Sequence, residues 1–148
     1  MDIALELTAD GTLDIALADG DLATDAGLRT AVILSLLTDR RAEPDDVLPD
    51  GSKYRRGWWA DAYADQDGDQ IGSRLWLLNR EKELPAVRQR ADAYVREALE
   101  WMIEDGVAAR VDVTELPLGR RRLGQTITIE RPTGERVDIR FNELWEAL

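Results

Sequence analysis

Residues 53–79 read KYRRGWWADAYADQDGDQIGSRLWLLN and hold three of the five tryptophans of the chain. Trp58 and Trp59 stand together near the start of this stretch, and Trp76 lies close to its end. Between them, residues 64–70 form an acidic segment with almost no apolar side chain, which is typical of a solvent-exposed turn. The stretch therefore predicts large rings placed on both sides of a loop.

The adjacent rings of Trp58 and Trp59 each carry about 200 Å² of surface, so we do not expect both to point into water. In extended backbone, neighbouring side chains face opposite sides, which lets one ring enter a core while the other meets a partner. The alternative is that both rings close a small core, because buried aromatics mostly serve packing. The residues alone leave both interpretations open.

The composition predicts one globular domain over residues 1–148, because a chain of this length buries about two thirds of its unfolded surface. No apolar run approaches the roughly 20 residues that span a bilayer, so we expect no membrane contact. A net charge of -11 repels a phosphate backbone, so we expect no nucleic-acid partner. The first residues lack a signal-peptide pattern, which predicts synthesis and retention in a cytosol.

Arginines are nevertheless clustered on this acidic chain. The clusters are Arg40–Arg41, Arg55–Arg56 and Arg120–Arg122. Such patches can select a complementary acidic surface on a partner. The alternative is that they are solvated loop charges.

Cysteine and histidine are both absent, which excludes disulfides, thiolate or imidazole metal ligands and Ser-His triads. We expect no cofactor, no metal and no catalytic residue. Asp65, Asp67 and Asp69 have the spacing that begins an EF-hand loop. The match then fails, because the sixth position is Gln70 instead of glycine and the twelfth is Trp76, which has no oxygen ligand.

The N-terminal third alternates between apolar and polar residues before it becomes continuously apolar. The segments Ile3–Leu7 and Leu13–Leu17 predict a β-hairpin with its turn at residues 9–11. A helix is predicted from near Ala26 to residue 37, with Thr24 and Asp25 as its cap. Because it is apolar nearly all round, this helix is expected to be central.

The rest of the chain predicts a loop, a helix and a sheet. Residues 38–56 predict a long irregular loop, and Arg74–Arg80 a short helical turn, while Gly57 and Gly72 are expected to supply backbone geometry at turns. A second long helix is predicted over Pro85–Asp105, where apolar residues recur at three- and four-residue steps and Gly106 follows.

Period-two alternation returns after residue 110 and predicts a three-stranded antiparallel meander whose apolar face packs on the second helix. Residues 142–148 predict a short helix with Trp145 as an anchor. The predicted fold class is α+β, with an N-terminal β-hairpin, two main helices and a C-terminal three-stranded antiparallel sheet.

Four short blocks of the sequence carry a family resemblance: Arg56–Asp61, Gly72–Trp76, Arg80–Glu81 and much of Glu97–Ala108. In order and spacing they resemble the baseplate wedge proteins of Mu-like contractile phages, a family related to the sheath-initiator, or lysozyme-like, wedge proteins. The similarity spans nearly the whole chain. It does not extend to the Glu-Pro-Arg signature of the wider superfamily, since Asp45 follows the Glu-Pro pair at residues 43–44.

The resemblance implies a structural subunit that is present in several copies and binds other baseplate wedge proteins and the first ring of tail sheath. It implies a location in the virion tail baseplate, after a stay in the host cytoplasm before assembly. In related proteins an edge strand extends a neighbour's sheet, and the N-terminal hairpin or the C-terminal sheet edge is expected to do so here. The residues expected to contact neighbouring proteins, the last two as a second set, are Arg56, Trp58, Trp59, Asp61, Arg74 and Trp76.

Two other functions stay open at this point. Thirty acidic residues supply many carboxylate pairs, and a pair held about 5 to 9.5 Å apart in a cleft can hydrolyse a glycosidic bond. The sequence places no pair in a cleft, so we expect no enzyme, with a peptidoglycan-degrading, lysozyme-like tail enzyme as the alternative. A stand-alone acidic binding module of a bacterial cell is the third interpretation.

Overall fold

The computed structural model describes residues 2–8, 12–19, 21–22, 24–25, 28–49, 51–66, 68–79, 81, 85–117 and 123–141. Two helices, two short 3₁₀ helices and nine strands form an α+β architecture within these residues. In chain order they are β1 (Asp2–Ile3), β2 (Leu5–Leu7), β3 (Leu13–Ile15), β4 (Leu17–Ala18), β5 (Asp21–Leu22), β6 (Thr24–Asp25), α1 (Arg29–Leu37), a first 3₁₀ helix (Trp59–Tyr63), a second 3₁₀ helix (Leu75–Leu78), α2 (Pro85–Glu104), β7 (Arg110–Pro117), β8 (Leu123–Glu130) and β9 (Arg136–Phe141).

The predicted N-terminal hairpin, two helices and C-terminal antiparallel sheet are confirmed. The arginine cluster at residues 120–122 and the helix predicted over residues 142–148 lie outside the described residues. Among the residues that are described, no helix is both long and apolar enough to cross a membrane.

The N-terminal region is a longer β structure than the sequence predicts. β2 and β3 pair antiparallel as expected, but β4 and β5 form a second hairpin whose turn includes Asp19. Asp19 has a φ of 52°, a left-handed conformation that aspartate tolerates better than most residues. The chain around Asp19 therefore forms a tight turn.

The cap predicted for α1 is wrong. Thr24 and Asp25 belong to β6 and pair with Ile3 and Asp2 of β1, so their backbone groups bond to a distant strand and not to a following helix. α1 consequently begins at Arg29, later than predicted, and has no side-chain cap hydrogen bond. The pairing of the two chain segments outweighs the local preference for a cap, which is worth only about 1 kcal/mol.

The core lies between α1, α2, the second 3₁₀ helix and one face of the C-terminal sheet. α1 is central as predicted, and even its polar residues Thr30 and Ser35 are buried. The register of the sheet aligns Val113, Ile127 and Ile139 in one row across the three strands. All three side chains are buried, so this row forms part of the apolar face that the alternation predicts.

Gln125 is an exception on that face. It lies on β8 between Glu115 and Phe141 of the neighbouring strands and is fully buried. Neither its amide nitrogen nor its amide oxygen has a hydrogen-bond partner among the described residues. A buried amide without partners opposes folding.

The long loop after α1 is irregular, as predicted, but it is pinned to the segment that follows the acidic turn. Asp39 forms a parallel bridge with Ser73, the Ser73 N–H donates to the Thr38 carbonyl at 2.9 Å, and the Arg40 N–H donates to the Ser73 carbonyl at 2.9 Å. Gly72 lies at this contact with a φ of 101°, and a Cβ built there would be 2.4 Å from the Thr38 carbonyl oxygen. The predicted need for glycine at this position is confirmed, because the two backbones approach too closely for any side chain.

Candidate functional site

The six residues predicted to contact neighbouring proteins differ in burial: two are exposed, three are half-buried and one is buried. Trp58 and Trp59 are 46% and 74% exposed, whereas Trp76 is 1% exposed. Asp61 is half-buried beside the exposed rings, and both Arg56 and Arg74 bind carboxylates of this chain. The role of all six as contact residues stays a prediction.

The expectation that at least one ring of the adjacent pair is buried is wrong. Trp58 has extended backbone and Trp59 begins a 3₁₀ helix, so the two side chains do not alternate between the faces of a strand. Their ring centroids are 5.9 Å apart, and the ring of Tyr63 packs edge-on against Trp59 at 6.2 Å. Tyr63 is itself 79% exposed, so three rings form one surface cluster, which we call the aromatic triad.

The aromatic triad lines an open groove with a volume of about 710 Å³. The floor of the groove comes from Ala31, Leu34 and Ser35 of α1 and from Trp101 of α2. The Trp101 indole N–H donates to the Ser35 hydroxyl at 3.1 Å, which fixes the floor across the two helices. Leu34 is 41% exposed although it lies on the central helix. The groove therefore contains apolar surface that is accessible to solvent.

Carboxylates surround this groove. Asp61, Asp65, Asp69 and Asp105 all line it, and no lysine or arginine is among the described residues of its lining. One oxygen of Asp61 accepts a hydrogen bond from the Ile71 N–H at 3.2 Å, which ties the first 3₁₀ helix to the end of the acidic turn. Its other oxygen is buried and has no donor within the described part of the chain. The groove thus combines an apolar floor, aromatic walls and a negative potential.

Arg74 lies at the centre of an internal ion-pair network. Its guanidinium donates to Glu97 at 2.9 and 3.1 Å and to Asp46 at 3.1 Å, and it lies over the ring of Tyr94 at 4.8 Å. Burial lowers the pKa of Arg74, but the hydrogen bonds to Glu97 and Asp46 outweigh it and raise the pKa above the usual arginine value. Burial also raises the pKa of Tyr94. Arg74 therefore joins the long loop to α2.

Arg56 and Trp76 form a second internal arrangement of the same kind. The Arg56 guanidinium donates to Asp39 at 2.8 Å and lies 4.4 Å from the centre of the Trp76 ring. The indole N–H of Trp76 donates to the Arg40 carbonyl at 2.8 Å. Arg56 has a φ of 53°, so these contacts hold a strained residue in place. These contacts join the two ends of the long loop, at residues 39–40 and 56, to the second 3₁₀ helix.

Sequence reasoning missed most of the groove lining, including three of its large side chains. Tyr63 lies one turn after Trp59, which is a signal for a shared helical face. Trp101 and Leu34 have the apolar character of core positions on their helices. Only the packing of α1 beside α2 places them in the lining of the groove. Within the described residues no group of three acidic side chains is placed to hold a metal ion. Asp67 lies outside those residues.

Comparison with known proteins identifies relatives along the entire chain. A family model described as "Phage protein GP46" matches residues 28–136, which include both helices and the groove. The chain is 44% identical over 147 residues to "Baseplate protein gp46" of Escherichia phage Mu, with 99% of each chain covered. It is 36% identical over 135 residues to "Mu-like prophage FluMu protein gp46" of Haemophilus influenzae, with 91% of each chain covered.

Proposed function

Because the chain belongs to the Phage protein GP46 family, whose members include the baseplate protein of phage Mu, we propose that it is a wedge subunit of the baseplate of a Mu-like contractile tail. It works by holding neighbouring proteins in place, as a single domain in several copies. It occupies the virion baseplate after a stay in the host cytoplasm. The observation that supports this function is the 44% sequence identity to a baseplate protein over 99% of each chain.

The aromatic triad and its groove are the surface through which the subunit binds a neighbour. Trp58, Trp59 and Tyr63 leave 46%, 74% and 79% of their surface in water, although large rings are normally covered to a greater extent. Exposed aromatic clusters with apolar surroundings are typical of protein interfaces, and tryptophan and tyrosine supply much of the binding energy there. A baseplate neighbour that covers the triad would remove this surface from water.

The N-terminal hairpins supply a second contact surface. Their strands expose Leu13, Ile15 and Leu17, and β1 beside them exposes Ile3. Two-stranded structures of this length are marginal in water without a covering partner. The hairpins are suited to extend or cover a sheet of another subunit. The first ring of tail sheath is the partner proposed for them, which would make the subunit a nucleus for the sheath.

The proposed mechanism is assembly without turnover. The two relatives bear the names of a baseplate protein and a Mu-like prophage protein, and neither name describes an enzyme. A cell-wall clearing assay on the purified chain tests this directly. Clearing above the level of a buffer control would contradict the proposed mechanism and favour the peptidoglycan-degrading alternative.

Substitution of the exposed rings separates an assembly role from a folding role. Trp58→Ala with Trp59→Ala should change the melting temperature by less than about 3 °C, because the rings already contact water and surface changes cost about 0.5 kcal/mol. The same variant should lose most of its incorporation into baseplates. The measurements are thermal denaturation of the purified chain and quantification of the chain in purified tails.

Trp76→Ala is the matched control. Its ring is 1% exposed, so its removal should lower the free energy of unfolding by about 3 to 5 kcal/mol. If the Trp58 and Trp59 variant melts as early as this control, the rings belong to the fold. If it melts normally and still enters tails at the wild-type level, the triad is not an assembly surface.

A further inference from the structure

We infer that the groove beside the aromatic triad receives a segment of a neighbouring protein that inserts an arginine next to an apolar side chain. This inference rests on the proposed function, since it assumes that a protein partner covers the groove. It adds the chemistry of that partner. Three features of the molecule support it: the shape of the groove, the charges of the groove and the way in which this chain binds its own arginines.

The shape of the groove suits a peptide segment. Its volume of about 710 Å³ is within the range of roughly 300 to 1,000 Å³ that is typical of ligand pockets. Leu34, Ile71 and Trp101 offer apolar surface in it. An aliphatic side chain of the partner can therefore be buried on the floor, and its removal from water favours binding.

The charges of the groove call for a cation. Asp65, Asp69 and Asp105 line it and have no ion pair within the described residues. By contrast, Asp39 and Asp46 elsewhere in the chain each bind an arginine. A partner with positive charge would complement this surface, whereas an acidic segment would meet three or more uncompensated carboxylates.

The chain shows twice how it binds an arginine. Arg56 lies over the Trp76 ring and pairs with Asp39, and Arg74 lies over the Tyr94 ring and pairs with two carboxylates. The groove places the same two components, aromatic rings and aspartates, around one space. Arginine fits this combination better than lysine, because its planar guanidinium stacks on rings and binds carboxylates through two N–H groups.

A cross-linking experiment in assembled tails tests the identity of the partner segment. A photoreactive amino acid is placed at Tyr63, and the cross-linked peptides from purified, irradiated tails are identified by mass spectrometry. We expect one segment with an arginine within a few residues of the cross-linked position. The control is the same probe at Tyr54, which is exposed outside the groove and should not capture that segment.

The outcomes distinguish this inference from the proposed function. A captured segment without a basic residue overturns the inference, as does a normal incorporation without any cross-link at Tyr63, while both leave the baseplate role in place. Absence of the unmodified chain from purified tails overturns both. If the probe at Tyr63 prevents incorporation, the probe at Ala64, which lines the same groove, gives the same test.

Charge neutralisation supplies an independent test. Asp65→Asn with Asp69→Asn should lower incorporation about fivefold, which corresponds to two exposed ion pairs near the middle of their usual range. The control is Asp19→Asn with Asp45→Asn, which removes two exposed carboxylates away from the groove and should incorporate normally. Equal incorporation of the two double variants would overturn the inference.

Discussion

Gly72 shows how one residue determines whether the loop and the tryptophan region can meet. Its φ of 101° and the 2.4 Å that would separate a Cβ from the Thr38 carbonyl oxygen leave no room for a side chain. Gly72→Ala should lower the free energy of unfolding by about 2 to 3 kcal/mol, because it adds a clash to a strained backbone. Chemical denaturation followed by circular dichroism measures this change.

Gly134 is the control for that substitution. It also has a positive φ, of 86°, but nothing lies within 4 Å of a Cβ built there. Gly134→Ala should therefore cost only about 1 kcal/mol, the conformational part of the effect. Equal costs at the two positions would mean that the loop moves aside at Gly72 without loss of stability.

At the level of single residues, the sequence identified part of the candidate site. The adjacent tryptophans and the aspartate after them line the groove or its edge, as their position in a ring-rich stretch suggested. Arg56 and Arg74 bind inside the chain because Asp39, Asp46 and Glu97 come close to them in the fold. Those carboxylates are distant in sequence, so no local pattern could have assigned them.

The C-terminal sheet contains a position where its own stability is not optimal. Gln125 is buried on the face that packs in the core, and its amide has no partner among the described residues. Gln125→Met keeps the length of the side chain and removes the polar atoms, so it should raise the free energy of unfolding by about 1 to 2 kcal/mol. Urea denaturation of the two proteins measures the difference.

Gln125→Glu is the counterpart for this prediction. It retains the shape of the side chain but places a charge in the same site, so it should destabilise the sheet. A Met variant that is less stable than the wild type would show that the amide is hydrogen-bonded in solution. In that case Gln125 would contribute to the specificity of the fold and would not lower its stability.

Among the elements, those with a strong period were predictable and those decided by pairing were not. α2 and the three C-terminal strands follow their hydrophobic periods, and their existence and order are confirmed. β6 was mistaken for a helix cap because its partner, β1, is at the other end of the N-terminal region. The second hairpin did carry a local signal, since Asp-Gly at residues 19–20 is a common hairpin turn.

At the scale of the whole molecule, charge affects folding and assembly in opposite directions. The net charge is -11, so repulsion among carboxylates disfavours the compact state. Raising the salt concentration from about 0.01 M to about 0.1 M shortens the screening length from about 30 Å to about 10 Å. The melting temperature of the isolated chain should therefore rise by a few degrees.

The same change of salt should weaken incorporation into baseplates if a basic segment binds the groove. Screening reduces attraction between exposed opposite charges as well as repulsion between like charges. The Asp65→Asn and Asp69→Asn variant should lose less of its incorporation with salt than the wild type does.

For the folding of the isolated chain, the contradicting result is a melting temperature that falls with salt. It would mean that the surface ion pairs of the chain outweigh its net repulsion.

The aromatic triad also gives the protein a built-in optical signal. Indoles in water emit at longer wavelengths than indoles in an apolar interior, and the exposed Trp58 and Trp59 contrast with the enclosed Trp76. When a partner covers the triad, the emission should shift to the blue and acrylamide should quench it less. Formation of the complex could thus be followed in real time without attaching a dye.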